Sequence, residues 1–309
     1  MKKEETVLDN LKKELEKRKA PSSDLPQSYD YEIDKGKKNL TIRIKASGLK
    51  ANMQDNESAF ESWAIILKFY LSDLINIITV DWEEIDSSVK AGKYHFNRFI
   101  YRVAKFAQTY DWVFLAKSIP QMPTILVCNY PNGEAAEENE HTIGSEGWIE
   151  CNYVEKEKSH YDVINHQFPV GLFDYTVSRD THFTTGQKSA IDIWAIKDRQ
   201  LFVFELKKPG NTPLGIISEL MFYINVMNDL LLHRIQYKDD GKLEKAIEKN
   251  YRGFGDFYNV YQSGKINRIN AVLLSDQFHP LINSELLEFI NNSARYRYCN
   301  ISFSMQNVK

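Results

Sequence analysis

Two acidic residues stand where their neighbours make a charge costly, and this constrains the chain more than any other feature. Residues 190–196 (AIDIWAI) carry Asp192, and residues 201–207 (LFVFELK) carry Glu205. Apart from the acids, both runs are apolar on both faces, the pattern of central strands covered by helices on either side. A carboxylate in such a place needs a counter-charge or a cation. Only the polar turn Lys197-Asp198-Arg199-Gln200 separates the runs, so they form a hairpin whose register can set Asp192 beside Glu205. Lys207 follows Glu205 by two residues and leaves the strand on the same face. Converging carboxylates, with the Leu206 carbonyl between Glu205 and Lys207, offer oxygen ligands to Mg2+ or Mn2+. A lysine beside that cation steadies charge on a phosphate or lowers the pKa of an attacking water.

Asp192, then Glu205-Leu206-Lys207 after a hairpin, resembles the PD-(D/E)XK nuclease superfamily. Many members carry Gln-x-x-x-Tyr on the helix after the Glu-x-Lys strand. Here a helix expected over 215–232 contains ISELMFYINVMNDLL, with Glu219 in place of the glutamine and Tyr223 four residues on. Members also often supply a glutamate from a helix ahead of the Asp strand. Glu157 is the first candidate, Glu155 the second, and Glu61 an outsider from an earlier helix. The resemblance implies a restriction-endonuclease-like core: an α/β fold with a central mixed sheet flanked by helices. It also implies Mg2+- or Mn2+-dependent hydrolysis of nucleic-acid phosphodiesters, DNA favoured over RNA, with a restriction or anti-phage defence role compatible. Asp192, Glu205 and the Leu206 carbonyl, with Glu157, would hold metal, while Lys207 orients or deprotonates the attacking water. Glu219 and Tyr223 would support the site. The competing reading is a catalytically silent domain of this type, used for nucleic-acid binding or assembly.

Other signals are weaker. Lys208, before a proline, is placed to touch substrate backbone or solvent. Arg295-Tyr296-Arg297-Tyr298 interleaves basic and aromatic residues. As a strand it puts both arginines on one face, compatible with phosphate contacts and base stacking, and equally with an amphipathic sheet edge. Glu219 and Tyr223 also suit plain helix packing, and Glu157 suits a solvated helix face. His160 and His166 flank the presumed site but read as structural or surface groups.

The chain of 309 residues has room for one large domain or two ordinary ones. With 39 Lys plus Arg against 42 Asp plus Glu, the net charge of −3 argues against a protein that coats DNA by bulk charge, but not against a nuclease. Cys128, Cys151 and Cys299 are widely spaced, without CxxC, so neither a disulfide framework nor a zinc ribbon is expected. No apolar stretch reads as a signal peptide or spanning helix, and the expectation is a cytoplasmic protein.

Residues 1–37 read as a short amphipathic helix over 2–19 and a linker; 38–150 as a mostly helical accessory region with a few strands; 151–309 as the nuclease-like domain. Helices are expected over 59–78, 96–110, 154–166 and 281–293, with strands over 39–46, 124–129, 269–275 and 297–304. The aromatic-rich helices of the second region (Phe60, Trp63, Tyr70) suit a core or the face of a homodimer or higher homo-oligomer.

Overall fold

A computed structural model describes residues 6–21, 24–85, 92–185 and 189–308 of the chain. The first residues of the expected N-terminal helix, two linker serines and residues 186–188 of the turn before Asp192 fall outside these ranges. The fold is mixed α/β, with ten α-helices and three sheets among the described residues. It divides into two compact units, each assembled from separate stretches of chain.

The first unit comprises residues 1–121, 213–218 and 278–295. Its N-terminal helix α1 (Val7–Lys17) starts at a reciprocal cap in which Thr6 and Asp9 bond each other's backbone amides. Strand β1 (Tyr29–Asp34) lies in what the prolines and serines mark as linker. Its Tyr29 and Tyr31 point inward at period two, a signal that the turn residues around it obscure. β2 (Asn39–Ile44) and the short α2 (Ala46–Lys50) follow.

The apolar stretch expected as one helix over 59–78 is two elements: α3 (Phe60–Tyr70), then β3 (Ile77–Trp82). The change matches composition, since IITVDW is dense in β-branched residues. α4 (Lys93–Thr109) and β4 (Val113–Leu115) complete a sheet ordered β1-β2-β3-β4. Phe60 meets Phe99 and Phe106 at 5.2 and 5.8 Å between ring centres; these and Trp63 are core, whereas Tyr70, Tyr94 and Phe96 are half-buried.

The second unit comprises residues 122–212, 219–277 and 296–309. β5 (Leu126–Cys128) is followed by α5 (Glu146–Glu157), which lies eight residues earlier than the expected 154–166. Ser145 caps it by accepting the Trp148 amide. The residues after it, VINHQFP, form β6 (Val163–Pro169) instead of helix. β7 (Leu172–Asp174), β8 (Ala190–Lys197) and β9 (Gln200–Leu206) come next.

α6 (Ile216–Leu231) matches the helix expected there. β10 (Ile235–Gln236), α7 (Leu243–Glu248), α8 (Phe254–Gln262) and β11 (Arg268–Ser275) lead to α9 (Ser284–Asn291), α10 (Ala294–Tyr298) and β12 (Ile301–Asn307). The main sheet runs β12-β11-β9-β8-β6. β6, β8 and β9 are antiparallel, whereas β9, β11 and β12 are parallel.

α5 covers one face, where Ile149 and Tyr153 join Ile193, Ala195, Phe204, Leu206, Val272 and Leu274 in one apolar cluster. On the other face Trp194 packs edge-on against Phe168 and Phe257, at 5.3 and 5.7 Å. Gly253, ahead of α8, has φ +72°, and a Cβ there would lie 2.8 Å from the Trp194 ring. Gly253→Ala therefore combines left-handed strain with overpacking and should destabilise this unit by about 2 kcal/mol. Urea denaturation followed by Trp fluorescence checks it; an unchanged midpoint refutes the packing described.

Candidate functional site

The β8–β9 hairpin turns on two residues, tighter than the four-residue polar stretch suggests. Asp198 and Arg199 both take positive φ, 49° and 65°, the backbone of the primed turns that match strand twist. This fixes a register in which Ile193 pairs with Phe204. The paired ladder ends there, and continuing its register by one residue sets Asp192 level with Glu205. The next ladder bond is not made. Instead the Leu206 amide donates to Asp192 Oδ2 at 2.8 Å, and the Lys207 amide crosses to the Leu274 carbonyl at 2.9 Å.

Lys207 then turns its ammonium back over Glu205. Its Nζ donates to Glu205 Oε1 and lies 2.9 Å from Glu219 Oε2 on α6. Glu205 and Lys207 are only 1 % and 4 % exposed, whereas Asp192 is half-buried and opens one side of the group to solvent. Among the described residues Glu205 Oε2 is buried and accepts no N–H or hydroxyl; a cation, or a proton shared with the neighbouring Glu219 carboxyl, would satisfy it.

The electrostatics follow from crowding. Burial, then the Glu150 carboxylate, hold the Asp192 carboxyl well above the usual range, with Lys207 and the Leu206 amide opposing. Burial, then Asp192 and Glu219, do the same to Glu205, again against Lys207. Burial alone would lower the Lys207 ammonium; Glu205, Glu219 and Asp192 together outweigh that and raise it. The site is an excess of acid around one cation.

Glu150 was not among the sequence candidates. It sits on α5, buried, with Oε2 taking the Gln167 side-chain amide at 2.6 Å and lying 3.6 Å from His166 Nδ1. Gln167 adopts φ +55° in β6, a kink beside Asp192 where the β6–β8 ladder skips one pair. The signal for Glu150 was present: a capping serine at 145, an acid in the first turn, and Ile149 and Tyr153 four apart. Gln167 left no such mark.

The structure brings Asp192, Glu205, Lys207 and Glu219 together. Tyr223 is buried one turn beyond Glu219 on α6. Glu157 is not brought to the group: it lies two turns past Glu150 and binds His160 Nδ1 at 2.9 Å, while Glu155 pairs with Lys158 at the surface. Glu61 belongs to the first unit, where its buried carboxylate is held by Arg102.

Lys208 is exposed next to the site, its amide 3.4 Å from Glu146 Oε1. Arg295 and Arg297 lie on the helical turn α10, which replaces the first part of the strand expected over 297–304. Two residues apart on a helix, they leave it in different directions. Arg295 donates to Gln108 at 2.8 Å and Arg297 is exposed.

Among the described residues no set of three His, Cys, Asp or Glu side chains forms a ready-made metal cage. Mg2+ is commonly held by only one or two carboxylates plus water and substrate phosphates, so Asp192 and Glu205 are the residues here that could hold it.

No family model matches this chain, and no curated protein or solved structure matches it significantly. Among the described residues no helix is long and apolar enough to cross a membrane.

Proposed function

We propose that the second unit is a Mg2+- or Mn2+-dependent nuclease of the PD-(D/E)XK, restriction-endonuclease-like type, cutting nucleic-acid phosphodiesters with DNA the favoured substrate. One observation carries this reading: Asp192, Glu205 and Lys207 converge at the end of two apolar strands, with Lys207 seated on the buried Glu205 and Asp192 on the Leu206 amide. In the proposal, Asp192, Glu205 and the Leu206 carbonyl would hold the cation, which would supply Lewis acidity at the phosphate. Lys207, seated on Glu205, would orient the attacking water or steady the phosphate charge. Glu219 keeps Lys207 in place, and the Glu150 carboxylate, held by Gln167, acts on Asp192 through its charge.

Plasmid, linear DNA, single-stranded DNA and RNA, each incubated with Mg2+, Mn2+ or EDTA, test this directly. Cutting in metal and none in EDTA supports it; no cutting of any of the four opposes it. The clamp of Lys207 between Glu205 and Glu219 favours a second reading, a silent domain that binds nucleic acid. Binding without cutting, unchanged by Lys207→Ala, selects that one. Glu150→Gln should weaken Mg2+ affinity by about 10- to 100-fold, as other losses next to a metal site do. Calorimetric titration of Mg2+ reads this, and an unchanged affinity removes Glu150 from the site.

A further inference from the structure

Beyond the acidic group, the second unit contains a cavity of about 620 Å³, within the usual range for a small-molecule site. Its lining has two characters. Arg179, Lys242 and Arg252 line it with one acid, Asp240, which accepts the Tyr130 hydroxyl; Glu134 stands at Arg252, so Arg179 and Lys242 make the cationic surplus. In a chain of net charge −3, such a local surplus favours an anion. The remaining lining mixes apolar groups (Tyr130, Phe173, Pro169) with hydrogen-bonding ones (Asn129, Asn132, His182). An anionic head joined to a planar body with donors and acceptors on its edge matches both characters. That is a nucleoside phosphate.

The cavity is tied to the acidic group through a short chain of bonds. Arg252 donates to the Gln167 carbonyl at 2.6 Å and to the Gly133 carbonyl at 3.2 Å. Gln167 in turn donates to Glu150, the strongest charged influence on Asp192. Pro169, in the cavity wall, pairs with Ala190, two residues before Asp192. Arg252 is therefore committed to holding the wall, and the exposed Arg179 and Lys242 are left to meet the ligand.

We infer that this cavity binds a nucleoside phosphate, and that in the nuclease reading it receives a nucleotide of the strand near the scissile bond. The second clause rests on the proposed function; the first stands without it.

Binding of a fluorescent single-stranded oligonucleotide, a nucleoside monophosphate, the matching nucleoside and inorganic phosphate is measured in EDTA, where metal-dependent cutting is absent. The comparison is wild type against Arg179→Ala/Lys242→Ala, two exposed positions outside the metal group. The expected result is that the oligonucleotide, the monophosphate or both bind, and that the double variant weakens binding at least tenfold. On the oligonucleotide, the double variant should also flatten the salt slope by about 1.4, roughly 0.7 for each lost cation contact. Oligonucleotide binding alone identifies a strand subsite, and monophosphate binding identifies a site open to free nucleotides; both support the inference. Inorganic phosphate or nucleoside binding as tightly as the monophosphate, or affinity unchanged in the double variant, overturns it. If this binding is found and no substrate is cut, the cavity stands and the nuclease reading falls; cutting without cavity binding gives the reverse.

Discussion

Lys207→Ala is expected to lower metal-dependent cleavage by about 10²- to 10³-fold, the loss typical when one preorganised charge is removed from a phosphate or oxyanion site. The same change has a second effect that is independent of chemistry. Glu205 and Glu219 share the Lys207 ammonium in a buried place, and removing one partner of such a group costs about 3–5 kcal/mol. Urea denaturation at neutral pH should show that loss. The two effects separate in the variant Lys207→Ala/Glu205→Gln, which removes one of the stranded carboxylates. It should regain part of the lost stability and none of the cleavage. Recovery of both together would make Lys207 a structural residue only.

The second large effect is on pH dependence. Asp192 and Glu205 have folded-state pKa values above the ordinary 3.8 and 4.5, so the fold binds protons that the unfolded chain has already released. Their stabilising contribution is complete below about pH 4 and is lost as pH rises through the folded values, at up to about 1.4 kcal/mol per pH unit for each group. Lys207 is raised above 10.5, so its contribution persists through neutral pH and is lost only in strong alkali. Without divalent metal, the protein should therefore lose stability from mildly acidic toward neutral pH. Glu205→Gln should flatten that fall. In the proposed reading Mg2+ would take the ionised carboxylates, so its stabilising effect should grow as pH rises. Denaturation curves at about pH 5, 6, 7 and 8, in EDTA and in Mg2+, read all three. Curves identical in both media at every pH would remove the carboxylates from any cation site.

The hairpin of the site was legible because Asp192 and Glu205 break apolar runs that nothing else explains, and because a short polar turn admits few registers. α6 was legible from its long apolar period, which begins just after the breakers Pro209, Gly210 and Pro213. Glu150 was missed for a physical reason: the acidic, turn-rich tract before it obscured the Ser145 cap, and the lysines and glutamates of 154–158 extended the helical pattern too far. β-branched and aromatic residues in 161–169 carried the opposite signal for β6.

β1 was hidden by the prolines around it, and β3 by its continuity with the apolar residues of α3. Arg295 and Arg297 alternate with tyrosines as a strand would, yet Tyr296 is fully buried on a helical turn. Over five residues, period two and period 3.6 are hard to tell apart. Gln167 acts through a positive φ that tertiary pairing imposes on it, which no local pattern announces.

Diffraction from crystals soaked in Mn2+, with data collected at the manganese edge, locates the cation itself. The account predicts one anomalous peak about 2.1 Å from oxygens of both Asp192 and Glu205. A bound ion anywhere else, with no density between the two carboxylates, contradicts it.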